Sequence, residues 1–129
     1  MGAALLCLDG PSADFSMRLE RGKGRGTRRR EPAAVLHLSG ELDIAWSERV
    51  GNTIVGLARR AGPGGGQRPG VVVDVSALSF IDATGVAALA AAEEHGQTLV
   101  IRGAAGIVRR VLEVSGLSPL LEVELGPVA

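Results

Sequence analysis

An α/β fold with a mixed sheet is predicted by the order in which hydrophobic periods follow one another along the 129 residues. Two strand-like segments come first, and three helix-then-strand units follow. Each such unit returns right-handed to a neighbouring parallel position, so an antiparallel pair and parallel strands share one sheet of about four to five strands. One core fits this length, because a second would need roughly another hundred residues to bury enough apolar surface. A single domain over residues 1–129 is therefore expected, with its ordered core at about 15–126.

The start, Met1 to Asp9, lacks a basic n-region and meets Asp9 too early for a secretory signal, so it reads as a first extended segment or a loose terminus. Phe15 to Glu20 alternates apolar and polar residues, the period of a half-buried strand. Residues 21–33 are rich in Gly and Arg, which oppose regular structure and predict a flexible basic loop. Ala34 to Leu42 is apolar and strand-like, so the two segments can form a hairpin around that loop. Trp46, Val50, Ile54, Leu57, Ala58 and Ala61 then recur at helical spacing, with Asp43 or Ser47 as the start signal. A Gly/Pro-rich connector at 62–70 ends that helix.

Val71 to Val75 is β-branched with scarcely any alternation, the pattern of a central strand covered on both faces. Leu78 to Gly85 leads into the Ala-rich run Val86 to Glu94, a strong helix former with Asp82 or Thr84 as N-cap. Thr98 to Ile101 is a short buried strand. Ile107, Val108, Val111, Leu112 and Ser115 trace one face of a third helix closed by Gly116, with Leu117 supplying the accompanying hydrophobic contact. Leu121, Val123 and Leu125 alternate with Glu122 and Glu124, so the last strand has one wet face and belongs at a sheet edge.

Composition excludes several functions. Fourteen basic and fourteen acidic residues cancel, so no global field steers the chain toward nucleic acid or an anionic membrane. Aromatic residues are 2% of the chain, too few for base-stacking platforms. The Arg21 to Arg30 run is accordingly read as a solvated loop rather than a phosphate-backbone contact. No run approaches the roughly twenty apolar residues that span a bilayer, and the single Cys7 forms no internal disulfide, so a cytoplasmic protein without membrane insertion is expected. Gly64-Gly65-Gly66 lacks the Lys and Ser/Thr of a phosphate-cradling loop. His37 and His95 have no evident nucleophile to serve, and no Cys/His/carboxylate set suggests a metal; no enzyme activity and no cofactor are expected.

In α/β sheets, ligands and partners favour the carboxyl ends of central strands, which here means Ser79 to Gly85. That turn brings Asp82 and Thr84 together at a helix N-terminus. From residue chemistry alone, Asp43, Asp82 and Thr84 also serve simply as helix caps.

The segments Leu38-Ser39-Gly40-Glu41-Leu42-Asp43 and Val73 to Val86, with Val114-Ser115-Gly116-Leu117, resemble the signature segments of STAS domains, and among them the anti-sigma factor antagonists. The resemblance implies a STAS-like sandwich with helices mainly on one face. It implies a protein that binds a kinase-type anti-sigma factor, frees a sigma factor, is released by phosphorylation, and is reset by a serine/threonine phosphatase. Thr84 falls on the phospho-acceptor position, Asp82 on the acidic residue two before it, and Asp43 on the acidic residue ending the first signature. The partner surface is then Asp43, Ser79, Phe80, Asp82, Ala83, Thr84 and Gly85, and any ATP belongs to the kinase. Ala83-Thr84 stands where the commoner pair is Ser-Ser. The rival reading is a STAS accessory subunit bound to the ATPase of a lipid-type ABC transporter without a phospho-switch.

Overall fold

The computed structural model describes residues 5–9, 15–21, 34–61, 70–93 and 99–121. Five strands, β1 (Leu5–Asp9), β2 (Phe15–Arg21), β3 (Ala34–Leu42), β4 (Val71–Ile81) and β5 (Leu99–Arg102), form one sheet in sequence order. β1, β2 and β3 are antiparallel neighbours, while β3, β4 and β5 run parallel. The expected mixed sheet is present. Its first strand is the extended alternative for the N-terminal segment, paired from Leu5 opposite Glu20 to Asp9 opposite Ser16.

Helices α1 (Ile44–Ala61) and α2 (Ala83–Glu93) join the parallel strands, and α3 (Gly106–Val114) follows β5. The crossovers from β3 to β4 and from β4 to β5 step in the same direction across the sheet, so right-handed connections deliver both helices to one face. Phe15, Met17, Leu36, Leu38, Val71, Val73, Leu99 and Ile101 supply that face, and they share a core with Trp46, Val50, Ile54, Leu89, Val108 and Leu112 from the helices. Trp46 anchors α1 there, its ring 4.8 Å from that of Phe15.

The other face carries a polar row. Arg18, His37, Asp74 and Arg102 are register neighbours in a row across β2 to β5. Arg102 Nη2 donates to Asp74 Oδ2 at 2.9 Å, and His37 lies between Glu20 (Nε2 to Oε1, 3.0 Å) and Asp74 (Nδ1 to Oδ2, 3.5 Å). This network ties the central strands together beside the apolar row of Val35, Val72 and Val100 on the same face.

β4 is longer than the expected Val71 to Val75 segment. Two register shifts against β3 put extra residues into it, between the pairs His37/Asp74 and Ser39/Ala77 and again between Gly40/Leu78 and Glu41/Phe80. Each bulge moves the inward position by one residue, so the buried side chains Val75, Leu78 and Ile81 fall at every third place rather than every second. A period of three does not read as a strand, which is why Leu78 to Ile81 looked like an approach to the turn.

α3 ends as expected. Gly116 takes a positive φ of 88°, Leu117 N–H donates to Leu112 C=O at 3.0 Å and Gly116 N–H to Glu113 C=O at 3.1 Å, and Leu117 is buried beside Leu112. Ile107 departs from its expected place on the buried stripe and is 58% exposed. The inward face begins at Val108. Leu121 makes a parallel bridge to Ile101; Arg21, expected to open the 21–33 loop, instead ends β2, while residues 22–33, residues 122–125 of the last expected strand and most of the 62–70 connector lie outside the described residues.

Candidate functional site

The carboxyl ends of β3 and β4 stop side by side, with Leu42 opposite Ile81 as the last ladder pair. Asp82 N–H then donates to Leu42 C=O at 3.2 Å, which holds the two following turns against each other. Both turns start a helix, and in both an aspartate is the cap. Asp43 Oδ1 accepts the Ala45 N–H at 3.0 Å, and its carbonyl accepts from Trp46 and Ser47. Asp82 Oδ1 accepts the Gly85 N–H at 3.0 Å. The two open alternatives are thereby settled: Asp43 rather than Ser47 starts α1, and Asp82 rather than Thr84 starts α2.

Thr84 lies in the first turn of α2, with its hydroxyl engaged on two sides. Thr84 Oγ1 donates to Asp82 Oδ1 at 2.6 Å, and Ser47 Oγ stands 2.9 Å away on α1. Ser47 Oγ is also 2.9 Å from Asp43 C=O. From the sequence alone Ser47 stands only as a possible helix start. Its signal was its position beside Trp46, Val50 and Ile54 on the inward stripe, where a polar residue needs a partner.

The other expected site residues divide by exposure. Ser79, Phe80 and Ala83 are exposed, Asp43, Asp82 and Thr84 are partly covered, and Gly85 is buried. Gly85 thus has a packing role beneath the turn. Ser79 Oγ donates to Gly40 C=O at 3.1 Å and fixes the bulged end of β4. Phe80 is 44% exposed, and Ile44, which the sequence reading did not single out, is 75% exposed beside Asp43. Two uncovered apolar side chains therefore stand on the turns that carry the carboxylates. Between α1 and α2 a groove of about 660 Å³ runs from Ser47 and Thr84 toward Arg59, floored by Gly51 and Ala88.

The Thr84 hydroxyl, then the Gly85 N–H, hold the Asp82 carboxyl below its ordinary value, against a smaller opposing effect of burial. For Asp74 on the polar face, burial raises the value, but hydrogen bonds from the Ser76 hydroxyl and N–H, with Arg102, outweigh it and the net shift is downward. A carboxyl depressed in the folded state gives stability that is complete above its unfolded value, about 3.9 for Asp, and that fades as pH falls through the lower folded value. Thermal unfolding followed from about pH 6 down to about pH 2 is expected to show Tm dropping below about pH 4. Asp82→Asn and Asp74→Asn should each flatten that drop. An unchanged profile in both variants contradicts the assignment.

Among the described residues, no three His, Cys, Asp or Glu side chains come together as metal ligands, and no helix is long and apolar enough to cross a membrane. The arrangement offers a polarised hydroxyl at a helix N-terminus, two flanking carboxylates and exposed apolar neighbours.

The fold is shared with known proteins. A structure of the anti-sigma factor antagonist SpoIIAA in its unphosphorylated form matches with a TM-score of 0.54 at 24% identity, covering 76% of this chain and 83% of that one. An anti-sigma factor antagonist from Mycobacterium paratuberculosis matches with a TM-score of 0.59 at 19% identity, over 96% of this chain and 88% of that one. At such identities the likeness is one of fold. No curated protein matches the sequence significantly. The family profile described as "Mlab, STAS domain" matches residues 26–122. Since that match runs through both capped turns and every described element from β3 to the short 3₁₀ turn Ser118–Leu120, the chain belongs to the STAS domain family.

Proposed function

We propose that this chain is an anti-sigma factor antagonist whose surface around Asp43, Ser79, Phe80, Asp82, Ala83 and Thr84, with Gly85 beneath it, docks a kinase-type anti-sigma factor. The observation that carries the reading is the Thr84 hydroxyl, held by Asp82 in the first turn of α2 at the edge where β3 and β4 end. Two similar folds are those of anti-sigma factor antagonists, which supports the same role here. The kinase transfers the γ-phosphoryl group of ATP to Thr84, the complex parts, and a separate phosphatase restores the hydroxyl. The chain is a substrate in this cycle and catalyses no step of it.

A phosphate brings about −1.5 to −2 charges. At a helix N-terminus, free N–H groups and the helix dipole tolerate an anion, so the fold survives. Against a docked surface, the same charge is desolvated beside the carboxylate of Asp82. Partner exchange then needs no refolding.

The test is a pull-down with the purified chain, followed by incubation of the recovered kinase with ATP and mapping of the label by mass spectrometry. Label on Thr84, lost in Thr84→Ala while binding persists, is the expected result. Recovery of a transporter ATPase with a permease, and no label on Thr84, overturns it in favour of the transporter-subunit role.

A further inference from the structure

Four oxygens lie in a chain across the site: Asp43 C=O, Ser47 Oγ, Thr84 Oγ1 and Asp82 Oδ1, with successive separations of 2.9, 2.9 and 2.6 Å. The two ends are a carbonyl and a carboxylate, which only accept. The two inner groups are hydroxyls with one proton each. Three contacts are therefore served by two protons, and one contact is always left without a hydrogen.

The length of each contact decides which one. The 2.6 Å separation is that of a charge-assisted O–H···O⁻ bond, so the Thr84 proton belongs to Asp82. The remaining proton, on Ser47, is divided between Asp43 C=O and Thr84 Oγ1. Ser47 is 5% exposed, the one buried polar side chain among the described residues, so bulk solvent does not readily make up the deficit. When the proton points to Thr84, it covers a lone pair of Oγ1 and, by polarising that hydroxyl, strengthens its bond to Asp82. When it points to Asp43, two lone pairs face each other across 2.9 Å and Thr84 is pressed to turn away from α1.

We infer that Ser47 is a positioning residue, a two-position latch on α1 that sets the orientation and availability of the Thr84 hydroxyl. Its regulatory meaning rests on Thr84 being the phospho-acceptor. In transfer, Oγ1 forms a bond to the γ-phosphorus of ATP, the phosphorus–oxygen bond to the departing ADP breaks, and the hydroxyl proton leaves. The carboxylate of Asp82 already accepts that proton, and Ser47 covers one of the two lone pairs of Oγ1, which narrows the directions from which phosphorus can be reached. Ser47 thus restrains modification of the free protein, and a docking kinase that draws α1 or Thr84 aside releases it.

The experiment compares Ser47→Ala, Ser47→Cys and Ser47→Thr with the wild type, each checked for folding by circular dichroism. Cysteine keeps the volume but donates weakly, and threonine keeps the hydroxyl. The first readout is the Asp82 carboxyl followed by carbon-detected NMR against pH, which needs no kinase. Asp82 is expected to titrate higher in the Ala and Cys variants and as in the wild type in the Thr variant. The second readout is the rate of Thr84 labelling by the recovered kinase, expected to rise roughly two- to tenfold in the Ala and Cys variants, the worth of one neutral hydrogen bond. Unchanged Asp82 titration in both Ala and Cys overturns the latch. Absence of label on wild-type Thr84 overturns the acceptor reading instead, and the titration still decides whether Ser47 positions Thr84.

Discussion

Thr84→Glu is expected to weaken binding of the proposed anti-sigma partner by roughly thirty-fold to several thousand-fold, the equivalent of the 2–5 kcal/mol that a disrupted buried polar contact costs. The substitution changes three things at once. It removes the hydroxyl that Asp82 Oδ1 accepts from at 2.6 Å, sets a second carboxylate next to that one, and takes from Ser47 its neighbour across the helix pair. In the free protein these changes are mild. Position 84 is in the first turn of α2, where a negative charge meets unpaired N–H groups and the favourable end of the dipole, and solvent reaches the partly covered turn. Thermal stability should therefore stay within a few degrees of the wild type. In the proposed complex the solvent is gone, and two adjacent carboxylates must be desolvated together. Isothermal titration with the purified partner measures the loss. Affinity equal to wild type in a correctly folded variant removes Thr84 from the interface and with it the proposed switch. Thr84→Ala provides the contrast, because it deletes the same hydrogen bonds but adds no charge and should bind nearly as the wild type does.

The contrast between what the sequence disclosed and what it concealed at this site follows the range of the interactions involved. Asp43 and Asp82 were legible because capping is local: an aspartate followed by an apolar helical stripe has its partner two or three residues away. Gly116 and Leu117 were legible for the same reason, since the end of α3 is closed by bonds spanning three to five residues. Ser47 was not, because its meaning depends on Thr84, thirty-seven residues away and on another helix. The extension of β4 to Ile81 was hidden by bulges, which exist only with respect to β3. The row Arg18, His37, Asp74 and Arg102 likewise appears only once four strands are in register. His37, judged to have nothing to serve, is a link in that row rather than a reactive group. Ile107 shows the limit of periodicity itself: predicted on the inward stripe, it stands exposed in the first turn of a short helix whose burial begins only at Val108.

Gly85→Ala is expected to destabilise the fold by about 1–3 kcal/mol, lowering Tm by roughly 5–15 °C, and to impair partner binding together with it. A Cβ at this position meets Ile81 Cγ1 at 2.8 Å and Leu42 Cγ at 2.9 Å, closer than carbon atoms approach one another. Neither neighbour has room to yield, since Leu42 is completely buried and Ile81 is 2% exposed. The strain is relieved only if the first turn of α2 lifts from the ends of β3 and β4. Those strand ends immediately precede Asp43 and Asp82, so lifting the turn draws Thr84 away from Ser47 and slackens the Asp82 cap. Stability and recognition share one cause, and a double-mutant cycle isolates it. Leu42→Ala alone opens a cavity and costs about 2–5 kcal/mol. In the Gly85→Ala background the shortened side chain also removes a clash, so the second substitution should cost less than it does alone, with a coupling of about 0.5–3 kcal/mol. Strict additivity of the two losses indicates that the methyl at 85 is accommodated elsewhere, and the close seat of α2 on Leu42 is then not what holds Thr84 in place.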